Sequence, residues 1–297
     1  MNLLNIFQKN SKKIALALSL FAPCSAFATI VQIQTTLGDF EINLFDFDPD
    51  TKATVDNFIA YVNGGSYNST FFHRLVPGFV IQGGGYVYNG TFPAPLDVDL
   101  VLEEVVLTPG QANPTVVNQP KYSSVRGTIA MAKIGSDPDS ATNQWFINLS
   151  DNATNLDLQN GGFTVFGQVM GDGMMVVDAL AGLTLLGPPA TPDPDLKYAY
   201  GSPLNELPVQ NYDVTNFLNN DVPDSTNLAM VNAIVVLDGA TDTAAGLNPV
   251  INELILGYPT TPFVDNSQYR SGGAVGWLFL LLLLPLTIFR IKYRYSR

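Results

Sequence analysis

Cysteine and histidine are almost missing from this chain: among 297 residues there is one of each, Cys24 and His73. A lone cysteine forms no internal disulfide and excludes metal or redox chemistry through paired thiols. A lone histidine excludes a multi-histidine metal site. It also leaves no basis for a Ser-His-Asp hydrolase, because His73 lies in an apolar, strand-like run without a suitable serine context. Positive charge is scarce too, with 14 Lys and Arg against 26 Asp and Glu. Between residues 29 and 271 only Lys52, Arg74, Lys121, Arg126, Lys133, Lys197 and Arg270 face all 26 acids. A surface of that sign repels phosphate backbones, so nucleic acid is not an expected partner. What the chain does have is apolar content, 46%, enough for one sizeable core with appendages.

The remaining basic residues sit at the two ends, and both ends read as targeting segments. Residues 1–28 combine Lys9, Lys12 and Lys13, an apolar run from Ile14 to Ala22, and Ala26-Phe27-Ala28. That pattern predicts a secretory signal peptide cut before Thr29; the apolar run is too short for a bilayer span. At the far end Gly272-Gly273 precedes an uncharged, Leu-rich stretch from Ala274 to Phe289, then Arg290, Lys292, Arg294 and Arg297. The basic tail orients such a segment with the main domain outside the cytoplasm. Ser271-Gly272-Gly273, the apolar run and the basic tail together resemble the GlyGly-CTERM sorting signals of Gram-negative bacteria. That resemblance implies delivery to the periplasm or cell surface, with removal of residues 272–297 by a rhomboid-type protease. The alternative is a plain membrane anchor, which Pro285 would weaken.

Between these ends the pattern is mostly strand. Val31, Ile33 and Thr35 alternate with polar residues, Leu37-Gly38-Asp39 turns the chain, and Phe40, Ile42 and Leu44 alternate again, which predicts a hairpin. Val55, Phe58, Ile59 and Val62 recur at helical spacing. Further strands are expected over 126–133, 144–148, 163–169 and 228–237, with a short helix over 173–181. Residues 86–126 read as a long loop with a strand within 100–107. Residues 183–227, rich in Pro, Asp and Asn, form an insertion without a clear role. The domain is expected to end near residue 240, with 241–271 as linker.

One stretch carries the chemistry. Phe71 to Gly85 reads Phe-Phe-His-Arg-Leu-Val-Pro-Gly-Phe-Val-Ile-Gln-Gly-Gly-Gly. Pro77-Gly78 is a turn, and beyond it Val80 and Gln82 share one face of an extended chain. A cation, an aromatic and an amide so grouped suit a site that grips a neutral, amide-containing ligand. Taken alone, the segment fits an edge strand with a surface arginine equally well.

Phe72-His73-Arg74, Pro77-Gly78-Phe79 and Gln82-Gly83-Gly84 resemble the signature of the cyclophilin-type peptidyl-prolyl isomerases. Gly127-Thr128-Ile129-Ala130-Met131-Ala132, Asn143-Gln144-Trp145-Phe146-Ile147-Asn148 and Phe163-Thr164-Val165-Phe166-Gly167 continue the resemblance in order. It implies a mainly β fold, a closed eight-stranded antiparallel barrel capped by two helices over residues 29–240. It implies catalysis by Arg74, Phe79 and Gln82. Phe79, Phe146 and Leu156 match the pocket for the proline ring, Val80 stands where methionine is frequent, and Ala132 and Gln144 match the neighbouring subsite. Phe163 also faces the substrate, standing where eukaryotic members carry histidine; Asn155 stands where they carry tryptophan.

The reaction implied is rotation about an X-Pro amide, whose barrier of about 18–20 kcal/mol comes from partial double-bond character. No bond is made or broken, so no metal or cofactor is expected. An arginine donating to the prolyl nitrogen favours the twisted state, in which that nitrogen is pyramidal. The expected partners are proline-containing unfolded or secreted polypeptides, handled by a monomer. The alternative is a non-catalytic module that holds prolyl peptides in the same groove.

Overall fold

The computed structural model describes residues 29–90, 102–186, 206–213, 215–216, 219, 221–237 and 247–256. The signal-peptide and sorting-segment readings fall outside these residues. Among the described residues no helix is long and apolar enough to cross a membrane.

The alternating pattern does what period two dictates. Strands β1 (Ile30–Thr35) and β2 (Gly38–Leu44) form the expected hairpin, and Val31, Ile33, Phe40, Ile42 and Leu44 turn into the core at 0–2% exposure. Helix α1 (Pro49–Asn63) starts where Asp48 accepts a hydrogen bond from the Asp50 N–H and Pro49 pre-sets the first turn. It buries Val55, Phe58 and Val62. The chain then lays down β3 (Thr70–Phe71), β4 (Arg74–Val76), β5 (Val80–Gly83), β6 (Tyr86–Val87) and β7 (Glu103–Glu104). The strand expected within 100–107 is thus only two residues long, with both glutamates exposed. Then come β8 (Thr128–Met131), β9 (Trp145–Asn148), a short α2 (Ala153–Leu156), β10 (Val165–Val169) and α3 (Gly173–Ala181). Within the insertion β11 (Thr184–Leu185) pairs with β12 (Pro208–Val209). The long β13 (Met230–Leu237) closes against β1.

All strands except β11 and β12 form one antiparallel sheet in the order β4-β5-β9-β8-β10-β2-β1-β13-β3-β6-β7. Among the described residues the sheet therefore has eleven strands where eight were expected, because several are two-residue fragments. The sheet curls. Its two sides meet in the single segment 70–76, where the Phe72 N–H bonds Ala229 O on one side (3.0 Å) and the His73 N–H bonds Gln82 O on the other (3.1 Å). Helices α1 and α3 bury Phe58, Val177 and Leu180 in the same core as the strands. A separate cluster of Phe45, Val80, Ala130, Phe146, Leu156, Phe163 and Val165 lies apart from that core. Part of the stretch expected to be linker docks on the domain: Asn252 is fully buried and its Nδ2 donates to Pro120 O and Asp157 O.

The glycines ending β5 are required by close approach. Gly84 has φ +75°, and a Cβ there would stand 2.6 Å from Trp145 Nε1 and 2.8 Å from Asn143 O. A left-handed backbone costs a side-chain-bearing residue roughly 1–2 kcal/mol, and the buried indole has no room to yield. Gly84→Ala is expected to cost about 3 kcal/mol or more. Thermal denaturation checks this as a Tm drop of roughly 6–12 °C; a drop under 2 °C would show that the indole can move.

Candidate active site

Register decides what the site contains. Arg74 pairs with Gln82 across β4 and β5, Gln82 with Phe146 across β9, and Phe146 with Ala130 across β8. Directly paired residues point to the same face of a sheet. The arginine, the amide and the phenylalanine therefore stand in one line, with neighbouring strands about 4.8 Å apart.

Beside this line is an apolar hollow lined by Phe79, Val80, Ala132, Phe146, Leu156 and Phe163, with Lys133 at its edge. It is shallow and opens to solvent. Phe146 and Phe163 meet edge to face at 5.6 Å, a favoured arrangement for two rings. The turn that presents Phe79 is pinned from below: Ser150 Oγ donates to Gly78 O (2.6 Å) and Asn152 Nδ2 to Phe79 O (2.9 Å). All six apolar residues expected at the site thus meet in one place.

The polar residues are arranged around it. Gln82 is 2% exposed; its Nε2 donates to Gln144 Oε1 (2.8 Å) while its own Oε1 is buried without a partner. Gln144 does not line the hollow. It sits between Gln82 and His73, and its side chain also hydrogen-bonds the imidazole. His73 is buried and packs edge to face on Tyr86 at 5.0 Å. Burial first, and the neighbouring Arg74 charge second, push its pKa down to about 3, so at neutral pH the ring carries no charge. Arg74 has a side chain only 10% exposed; its Nε donates to Glu206 Oε2 at 2.5 Å, and its Nη1 is buried without a partner.

Two of these residues carried no signal in the sequence. Lys133 follows the Ala130-Met131-Ala132 strand and looks like a surface residue, yet it is 2% exposed. Its Nζ donates to Asn160 O and Gly162 O and lies 4.7 Å from the centre of the Phe163 ring. Desolvation pushes its pKa down to about 7. Glu206 lies in the insertion, 132 residues from Arg74, and no periodicity connects the two.

The arrangement sets an apolar hollow beside a line of strands that carries a guanidinium and an amide. No nucleophile with a base beside it is present among these residues. Comparison with known proteins agrees. Residues 30–196, more than half of the chain, match the family described as cyclophilin type peptidyl-prolyl cis-trans isomerase/CLD. The chain is 38% identical over 177 residues to a peptidyl-prolyl cis-trans isomerase of Acinetobacter baylyi, an alignment covering 57% of this chain and 82% of that protein. It is 37% identical over 172 residues to peptidyl-prolyl cis-trans isomerase A of Dickeya dadantii, covering 56% and 79%. To isomerase B of Escherichia coli it is 38% identical over 158 residues, covering 52% and 85%. The region shared with these enzymes contains the hollow and the line of residues from Arg74 to Ala130, and the chain belongs to the cyclophilin-type peptidyl-prolyl cis-trans isomerases.

Proposed function

We propose that this isomerase turns X-Pro bonds in exported or surface polypeptides, with the proline ring in the Phe79–Phe146–Leu156–Phe163 hollow. Arg74 donates to the prolyl nitrogen as the amide twists. Gln82 accepts a substrate backbone N–H through its unpartnered Oε1. Ala132 and Gln144 border the adjoining subsite, and Val80 and Phe163 close the walls. The observation that carries this reading is the register, which sets Arg74, Gln82 and Phe146 side by side on one face. A stabilising donor works only if it is already aimed where charge develops, and a line across three neighbouring strands is a rigid way of aiming it. The two hydrogen bonds of segment 70–76 to opposite sides of the sheet support a barrel that works as the family's closed eight-stranded form.

A protease-coupled isomerisation assay on prolyl peptides tests the assignment. Arg74→Ala loses rate and Phe146→Ala raises KM, whereas substitution of the exposed Val117 changes neither. Equal rates for wild type and Arg74→Ala would leave a groove that binds without this residue catalysing.

The setting is also proposed: export on residues 1–28 and a membrane-associated C-terminal segment removed near Gly272-Gly273 by a rhomboid-type protease, leaving a monomer outside the cytoplasm. The support is the composition of the two ends. Intact mass of the protein recovered from the periplasm and surface checks it. The expected species begins at Thr29 and ends close to Gly273; a species retaining both ends would refute export and sorting together.

A further inference from the structure

Arg74 is not alone at the site: it is held by an acid from the insertion whose role the sequence leaves open. Glu206 Oε2 accepts from Arg74 Nε at 2.5 Å, and the two side chains are 10% and 25% exposed. The acid is itself held firmly. Leu207, next to it, is fully buried together with Phe71, Leu186, Val209, Leu228 and Met230. The Leu186 N–H bonds Leu207 O at 2.8 Å, continuing the β11–β12 pairing. Phe71 in that cluster is three residues from Arg74, and Met230 pairs with it in register. Residues 206–209 are thereby clamped to the strand segment that leads into Arg74, with the Glu206 carboxylate pointing back at the guanidinium. Glu206 lies beyond the residues that match the family, 30–196.

The geometry points to Glu206 as a positioning residue for Arg74: it grips Nε, sets the plane of the guanidinium and leaves the buried, unpartnered Nη1 free as the donor. This rests on the reading of Arg74 as the group that favours the twisted prolyl nitrogen. An arginine side chain has several rotatable bonds and a rigid terminal fork, so one charge-assisted hydrogen bond at Nε removes most of the fork's freedom. A donor misplaced by about 1 Å can lose much of its catalytic effect. The hollow that holds the proline ring is built from other elements, so ground-state binding does not depend on this contact.

The test is steady-state isomerisation kinetics on the mature protein with Glu206→Ala, Glu206→Gln, Arg74→Ala and the Arg74→Ala/Glu206→Ala pair, each checked for native circular dichroism. Glu206→Ala is expected to lower kcat about tenfold with KM within about twofold. Glu206→Gln, which keeps an acceptor for Nε, is expected to recover most of that loss. In the Arg74→Ala background, removing Glu206 is expected to change nothing further, because no guanidinium remains to be placed. If Arg74→Ala itself keeps the wild-type rate, the reading of Arg74 fails. If Arg74→Ala loses rate while Glu206→Ala matches wild type, the positioning role is overturned. A faster Glu206→Ala overturns it as well, showing instead that the carboxylate masks the cation. Should the alanine variant misfold, Glu206→Gln still decides: the proposal requires it to keep kcat, and a tenfold loss with a native fold would refute it.

Discussion

Arg74→Ala is expected to lower kcat/KM by about 10²–10³-fold, a loss of roughly 2.7–4 kcal/mol of transition-state stabilisation. The reaction contains no covalent step, so almost all of its acceleration comes from binding the twisted amide better than the planar one. Arg74 is the one cation in line with Gln82 and Phe146, and its loss falls on kcat while the apolar hollow keeps KM nearly unchanged. Arg74→Lys is expected to recover little. An ammonium is a compact point charge without a second fixed donor, so it cannot both hold Glu206 and present a free N–H as the Nε and Nη1 groups do. Protease-coupled kinetics on a prolyl tetrapeptide measures both. A lysine variant within twofold of wild type would show that charge alone suffices. The alanine variant also leaves the Glu206 carboxylate, 25% exposed, without its counter-charge, so its fold is to be verified alongside its rate.

Between pH 6.5 and pH 5, acid is expected to destabilise the protein through His73. His73 is the only histidine in 297 residues. Its pKa is pushed down from 6.5 to about 3 by burial, with Arg74 adding to the effect. The unfolded chain then binds a proton that the folded chain refuses, and this happens at every pH between those values. The His73 contribution to stability is therefore intact above about 6.5 and falls as pH drops below it, by about 1.4 kcal/mol per pH unit. From pH 6.5 to pH 5 the loss is about 2 kcal/mol, or roughly 4–8 °C in Tm for a domain of this size. The window is clean because ordinary carboxylates titrate nearer pH 4 and Lys133, at about 7, titrates above it. Thermal unfolding of wild type and His73→Gln at the two pH values checks the attribution. The variant is expected to have lower stability at pH 7 but a flatter profile; parallel profiles would assign the acid sensitivity elsewhere.

Much of this was legible beforehand, and the reason differs from element to element. The hairpin over β1 and β2 and the buried face of α1 follow from local periodicity, since which side chains face inward is decided by backbone geometry alone. The hollow was legible because five of its six residues, all but Leu156, sit in short blocks whose order and chemistry carry a recognisable pattern. The sheet was less so: eleven strands appear where eight were expected, since two-residue strands such as β6 and β7 leave no periodic trace. Residues 247–256 looked like linker because their anchors are long-range: a bridge from Ile251 to Tyr122 and the Asn252 amide reaching carbonyls 95 and 132 residues away.

The order of residues along this chain was enough to predict a mostly extended domain and to single out Arg74 and the six apolar residues that meet in the hollow. Only the curled sheet decided that Lys133 lies under Phe163 and that Glu206 grips Arg74. Periodicity and motif record neighbours a few positions apart along the backbone. An ion pair between segments 132 residues apart depends on where folding brings those segments, and that is settled by packing of the whole core.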